Sequence, residues 1–97
     1  MSTLSIVAAL WPKPGKTDQL RSDLQALVGP SRSEDGNIRF DLFEDQQAGR
    51  FVLVEEWSSH ETRTRHHEEG PHIQHFHANG AANIDKTEFA QVLKLVP

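Results

Sequence analysis

Histidine is concentrated in one short stretch of this sequence. All six histidines of the 97-residue chain fall between positions 60 and 77, at His60, His66, His67, His72, His75 and His77. The imidazole is well suited to accept and donate protons near neutral pH, and it is also a common metal ligand. His72 with His75, or with His66, could form a metal site completed by Glu68 or Glu69, but no HExxH-type pattern is present. We therefore predict proton transfer as the chemistry of this stretch, without a metal.

His72 is the leading candidate within the histidine stretch. Pro71 predicts the start of a helix, on which His72 lies at the edge of the face that carries Ile73 and Phe76. This helix has few apolar residues and packs loosely, which predicts a cavity against a sheet, lined by histidines. The alternative is that His72 caps the helix and that the other five histidines are solvated.

Two adjacent carboxylates stand at the end of a predicted strand. Glu55 and Glu56 precede Trp57, and successive strand residues point to opposite faces, so one carboxylate points toward the helices. That group can orient a histidine; the alternative is that it reaches water while Trp57 covers the core edge. No P-loop, nucleophile elbow or dinucleotide fingerprint is present, which disfavours nucleotide chemistry.

Composition excludes several other classes of protein. The chain has no cysteine, which rules out disulfides, thiolate metal sites and cysteine nucleophiles. Its net charge of −4 disfavours a nucleic-acid partner. The longest apolar run, residues 6–11, is far shorter than the roughly 20 residues of a membrane-spanning helix. The N-terminus shows no secretion signal, so we expect a cytoplasmic protein without a membrane partner.

Hydrophobic periodicity predicts four strands and two helical segments. The strands are expected at Thr3–Trp11, Asn37–Asp45, Arg50–Trp57 and Glu88–Val96. A first helix follows Thr17 as its cap and bends or restarts at Gly29-Pro30, with Ser31 near its buried stripe. A polar helix capped by Ser58 and Glu61 runs to about Glu69, a further helix starts at Pro71, and Gly80–Lys86 is a loop.

The order β-α-β-β-α-β predicts the fold class. It indicates an α+β, ferredoxin-like domain over residues 1–97, with a four-stranded antiparallel sheet and both helical crossovers on one face. Strands one, three and four carry apolar residues on both faces, so the bare face of the sheet needs a cover. We expect a homodimer that pairs these sheet faces.

Several segments together carry a family resemblance that spans nearly the whole chain. They are the turn at Gly15 and the segments 27–32, 34–36, 39–41, 51–57 and 71–76. The combination of Glu-Trp at the end of strand three with the later Pro-His-x-x-x-Phe resembles the antibiotic biosynthesis monooxygenase family, including quinol monooxygenases. The resemblance implies a dimeric α/β barrel with a pocket in each subunit. It also implies oxidation of small aromatic quinols or anthrones by dioxygen, without any cofactor.

The resemblance also implies roles for individual residues. His72 takes the Pro-His position as the base or hydroxyl-binding group, His66 matches an earlier helix histidine, and Glu56 positions a histidine. The expected substrate-binding residues are Trp57, Ser31, Phe76, Phe40 and Arg39.

Two other functions are open on the sequence. One is an isomerase of a small phosphorylated sugar-like signalling molecule on the same fold, which needs a cation inside the pocket, from Arg39, Arg63 or Arg65. The other is a dimer that binds a small ligand without catalysis, because a fold does not establish a function.

Overall fold

Seven main elements make up the computed structural model, which describes residues 3–97. In chain order they are β1 (Leu4–Pro12), α1 (Thr17–Arg32), β2 (Asn37–Asp45), β3 (Arg50–Trp57), α2 (His60–Glu69), α3 (Pro71–His75) and β4 (Ile84–Leu93). A π-helical turn (Phe76–Gly80) and a 3-10 turn (Ala81–Asn83) connect α3 to β4. The predicted element order is confirmed, with the second helical crossover divided into several short pieces.

The strands form one antiparallel sheet in the order β2-β3-β1-β4. β1 lies in the interior, paired with β3 from Leu4 opposite Trp57 to Leu10 opposite Phe51, and with β4 on its other edge. The helices cover the face of the sheet on which Phe51 and Trp57 lie. This is the predicted α+β, ferredoxin-like arrangement.

The core lies between this face of the sheet and the helices. Along β3 every second residue is buried, as expected for a strand with one covered face. The buried core residues are Ile6, Leu10, Leu20, Leu24, Leu27, Phe40, Phe51, Leu53, Trp57, Ile73 and Phe76. α1 supplies three leucines to this core, whereas the buried residue of α2 is His66.

Helix α1 differs from its prediction at both ends. Thr17 is its first helical residue rather than its cap, because the Lys16 carbonyl already accepts from the Leu20 amide at 2.9 Å. Of the predicted bend or restart at Gly29-Pro30, the restart does not occur, because the helix continues through Pro30 to Arg32. Ser31 is buried, as predicted from its place near the apolar stripe. Within residues 3–97, α1 and the shorter helices all lack the length and apolarity needed to cross a membrane.

The cap of α2 lies one residue later than predicted. Ser59 Oγ accepts from the Thr62 amide at 3.2 Å, and Thr62 Oγ1 accepts from the Ser59 amide at 3.3 Å. Ser58 lies one residue before this cap, and its amide donates to the Gly36 carbonyl at 2.7 Å. The capping box is therefore real, but it uses Ser59 and Thr62 instead of Ser58 and Glu61.

Strand β4 begins four residues earlier and ends three residues earlier than predicted. Its limits follow β1, which pairs with it from Pro12 opposite Ile84 to Ser5 opposite Leu93. The predicted loop at 80–86 is instead the end of the π-helical turn, a 3-10 turn and the start of the strand. A strand's length is thus decided by the partner available to it.

Gly36 lets the turn after α1 approach α2 closely. Its φ is +87°, and a Cβ at this position would lie 2.5 Å from Thr62 Cγ2. Glycine alone adopts such a φ without strain and leaves this space free. Gly36 therefore sets how closely residues 33–36 pack against α2.

We expect Gly36→Ala to lower the free energy of unfolding by about 3 kcal/mol, from a positive-φ cost of about 1–2 kcal/mol plus the overlap with Thr62. Gly49→Ala is the matched control, because Gly49 has a φ of +86° and nothing within 4 Å of a Cβ. Urea unfolding of both variants measures the difference. Equal losses would contradict a role for the contact with Thr62.

Candidate active site

Side chains from three parts of the chain meet at one carboxylate oxygen. Glu34, in the turn between α1 and β2, places Oε1 2.5 Å from His66 Nδ1 of α2 and 2.7 Å from His72 Nε2 of α3. The first contact is a hydrogen bond. The second is close but misaligned, and His72 Nε2 is buried without a hydrogen-bond partner within residues 3–97. The His66 side chain is 4% exposed, so this pair is largely shielded from water.

Gly70 brings the two histidines together. A Cβ at Gly70 would lie 2.8 Å from the His66 carbonyl oxygen and 3.3 Å from His72 Cε1. Pro71 then occupies the first position of α3, where a missing amide hydrogen is harmless. The Gly-Pro pair thus ends α2 and starts α3 so abruptly that both imidazoles reach Glu34.

Aromatic rings and a second carboxylate surround His66. Its ring centroid lies 4.7 Å from that of Trp57 and 5.8 Å from that of Phe40. Trp57 Nε1 donates to Glu55 Oε1 at 3.0 Å, which gives this buried carboxylate a partner. Because Glu34 accepts from Nδ1, the neutral imidazole of His66 carries its hydrogen there and leaves Nε2 as a proton acceptor.

A cavity of about 270 Å³ lies between the sheet and the second helical segment. His66 borders it, and its apolar wall includes Ile6, Leu53, Phe40 and Phe76. Ligand pockets usually measure roughly 300–1,000 Å³, so this volume favours a small ligand. The cavity therefore combines an apolar space with an imidazole on its wall.

Basic side chains border the same cavity. They are Arg63 and His67 of α2 and His77 of the π-helical turn. The rings of His67 and His77 lie 5.0 Å apart. Although much of His67 is exposed, partial burial of its ring lowers its pKa below the usual 6.5, and the positive charges of Arg63 and His77 lower the pKa further.

The structure brings some of the sequence-predicted residues to this cavity and not others. His66, Phe40 and Phe76 line it. Trp57 is buried behind His66 and does not border the cavity, and Ser31 is buried with a hydroxyl that has no partner within residues 3–97. His72 borders a separate groove of about 260 Å³ between α1 and α3.

Two predicted residues lie on the face of the sheet away from the helices and the cavity. Glu56 and Arg39 are opposite each other in the β2–β3 pair, on the face away from the helices. Arg39 binds Asp41 at 2.5 Å and holds the pKa of that carboxyl below its usual value. The predicted contact between Glu56 and a histidine does not form, because strand alternation turns Glu55 toward the helices and the turn supplies Glu34.

The cluster around Glu34 also has the composition of a metal site. Its donor atoms from Glu34, His66 and His72 all lie within 4.8 Å of one another, and two imidazoles with a carboxylate can bind zinc. Ligand atoms of a tetrahedral ion at about 2.0–2.1 Å lie about 3.3 Å apart. The separation of 2.5 Å between Glu34 Oε1 and His66 Nδ1 is instead that of a hydrogen bond, and the 2.7 Å contact with His72 Nε2 is also shorter than the spacing of two zinc ligands.

Glu34 is the site residue that sequence reasoning missed. It lies 32 positions before His66, in the turn between α1 and β2, and no local sequence pattern marks it as the partner of a histidine. The contact becomes visible only in the folded structure, where Gly36 packs closely against Thr62 and so places the turn next to α2.

Comparison with known proteins identifies the family. The family model for antibiotic biosynthesis monooxygenases matches residues 3–79. The putative monooxygenase YcnE of Bacillus subtilis is 41% identical over 69 residues, covering 70% of this chain and 72% of that protein. The putative monooxygenase Rv0793 of Mycobacterium tuberculosis is 32% identical over 77 residues, covering 79% and 75% of the two chains.

Solved structures agree with these relatives. The structure of Rv0793 aligns with a TM-score of 0.84 at 29% identity, covering 99% of this chain and 95% of that chain. The crystal structure of PA3566 from Pseudomonas aeruginosa aligns with a TM-score of 0.82 at 26% identity, covering 100% and 95%. On the family match and these relatives, the chain belongs to the antibiotic biosynthesis monooxygenase family.

Proposed function

We propose that this protein is a cofactor-independent monooxygenase that oxidises small aromatic substrates of the quinol or anthrone type with dioxygen. The observation that supports it most directly is the Glu34–His66 pair on the wall of a small apolar cavity. Substrates of this type are acidic enough to lose a proton to an imidazole and are flat and largely apolar. The cavity and its base match both properties.

In the proposed mechanism His66 is the general base. Its Nε2 takes a proton from a phenolic hydroxyl or from an activated methylene of the bound substrate. Glu34 holds the ring in the tautomer that leaves Nε2 free, and its negative charge compensates the imidazolium that forms. The apolar wall excludes water, so the substrate anion is not reprotonated by solvent.

The substrate anion supplies the electrons for oxygen activation. It passes an electron to dioxygen, and the resulting radical pair recombines at carbon. For an anthrone methylene, one oxygen atom becomes the new carbonyl and the other leaves as water with the two hydrogens of the methylene. No external reductant enters this balance, so the protein needs only to deprotonate, orient and enclose the substrate.

The isomerase alternative has one supporting observation. A phosphorylated substrate needs a cation in the cavity, and Arg63 lines it, whereas Arg39 lies on the other face of the sheet and Arg65 pairs with Glu61 at the surface. Isomerisation consumes no dioxygen, and a ligand-binding dimer has no turnover at all. Oxygen uptake therefore separates the monooxygenase from both alternatives, and turnover of a phosphorylated sugar separates the isomerase from the ligand-binding dimer.

We expect His66→Gln to reduce oxygen uptake with quinols or anthrones by at least about 100-fold, because a general base contributes that much or more. His60→Gln, a change at an exposed position of the same helix, is the control and retains full activity. His72→Gln loses less than His66→Gln, because His72 does not border the cavity.

The assay uses an oxygen electrode and protein treated with a chelator, with autoxidation subtracted. Chelation leaves the rate unchanged if no metal takes part. Full activity of His66→Gln, or loss of activity on chelation, would contradict the mechanism.

Glu34→Gln is expected to lower kcat by about 100-fold with little change in KM, because the amide allows the wrong imidazole tautomer while the cavity wall is intact. Glu56→Gln is the matched control, since Glu56 lies on the opposite face of the sheet. Glu34→Asp keeps a carboxylate and recovers part of the rate. A loss in Glu56→Gln instead would restore the role that the sequence predicted for Glu56.

We also propose that the protein is a homodimer formed through the open face of the sheet. Phe43 and Leu93 are 49% and 46% exposed on this face. Val52, opposite Phe43, is only partly buried there. A second copy presents the same apolar patch and so covers this one by two-fold symmetry.

Phe43→Glu is expected to convert the dimer to a monomer, because it places charges within the apolar interface. Size-exclusion chromatography with light scattering measures the mass. Gln25→Glu, at an exposed position of α1, is the control and stays dimeric. A monomeric wild-type protein at micromolar concentration would contradict the proposal.

A further inference from the structure

Arg63 differs from the other arginines of this chain. Five of the six arginines pair with carboxylates, namely Arg21, Arg32, Arg39, Arg50 and Arg65. Arg63 makes no such pair within residues 3–97, and its Nε is buried without a hydrogen-bond partner. A buried guanidinium N–H without an acceptor is costly, so such a group marks a place where a ligand can supply one.

Two imidazoles share the cavity wall with Arg63. His67, one helical turn further along α2, and His77 border the same cavity. The carboxylate of Glu55 also reaches this cavity, but it accepts from Trp57 Nε1 and makes no ion pair with Arg63. The cationic group at this edge of the cavity is thus available to a ligand.

We propose that Arg63, with His67 and His77, forms an oxyanion-binding subsite, so that the substrate carries a carboxylate or phosphate attached to its aromatic body. The guanidinium Nε and one terminal nitrogen present two parallel donors, a geometry that matches two oxygens of such a group. The apolar part of the substrate then lies against Phe40 and Phe76, with the reacting carbon toward His66. This subsite narrows the substrate class of the proposed function. It rests on that proposal in one respect only, namely that the substrate binds in this cavity.

Binding of matched probes tests this subsite without any turnover. Calorimetric titration with 2-naphthoate, 2-naphthamide and 2-naphthyl phosphate compares a carboxylate, its neutral analogue and a phosphate. We expect at least one anion to bind about 10-fold or more tightly than the amide, and the stronger of the two anions identifies the acidic group.

Variants of two neighbouring arginines locate the site. Arg63→Gln is expected to weaken anion binding about 10-fold or more and to leave amide binding unchanged, while Arg63→Lys retains part of the affinity. Arg65→Gln, which loses only the surface pair with Glu61, is the control and binds as the wild type does. Thermal unfolding confirms that each variant is folded.

The result that would overturn the subsite is the absence of anion preference, whether both probe types bind equally or neither binds. Equal weakening of anion and amide in Arg63→Gln would also overturn it, because this indicates general damage to the cavity. Failure of the oxygenase does not produce these results: an enzyme without oxygen uptake that still binds naphthoate through Arg63 retains the subsite and loses only the proposed reaction.

Discussion

One carboxylate oxygen, Glu34 Oε1, holds together the parts of the chain on which the site depends. It contacts imidazoles from the end of α2 and the start of α3, while its own residue belongs to the turn that leaves α1. A shared carboxylate of this kind needs close approach from all sides. The two glycines that permit this approach are Gly36, against Thr62, and Gly70, between the two histidines.

This arrangement couples stability to function in α2. An amphipathic helix is normally held to a sheet by an apolar stripe, but α2 is polar along its length and its buried residue is His66. The residue that packs against Trp57 is therefore also the one that binds Glu34 and borders the cavity. A lightly packed helix leaves room for a ligand. The position of such a helix depends on polar contacts, because it has few apolar contacts with the sheet.

Two side chains of α2 on the cavity wall have complementary chemistry. His66 is fixed by its hydrogen bond to Glu34, whereas Arg63 has no carboxylate partner within the described chain. In the proposed reaction, which uses no cofactor, the rate has to come from orientation, proton transfer and exclusion of water. In that proposal Arg63 and His66, on the wall of one small apolar space, provide the first two, and the surrounding aromatic and aliphatic side chains provide the third.

The sequence by itself determined the element order, the alternation that buries one face of β3 and the concentration of histidines in one segment. These are local properties, since periodicity of 2 or 3.6 residues directly sets which side chains share a face. The sequence also placed the end of α2 and the start of α3, because a Gly-Pro pair ends one helix and favours the start of the next. The limits of β4 could not be predicted from the sequence, since they depend on how much of β1 is available for pairing.

Tertiary structure alone decided which charged groups from distant segments meet. Glu34 and His66 are brought together by the packing of a turn on a helix, and no pattern within either segment marks the partnership. The same packing separates His72 from the cavity and leaves Arg63 without a carboxylate, although Arg65, two residues later, finds one within its own helix. Contacts one turn apart in a helix follow from spacing, whereas contacts between distant segments exist only once the chain has folded.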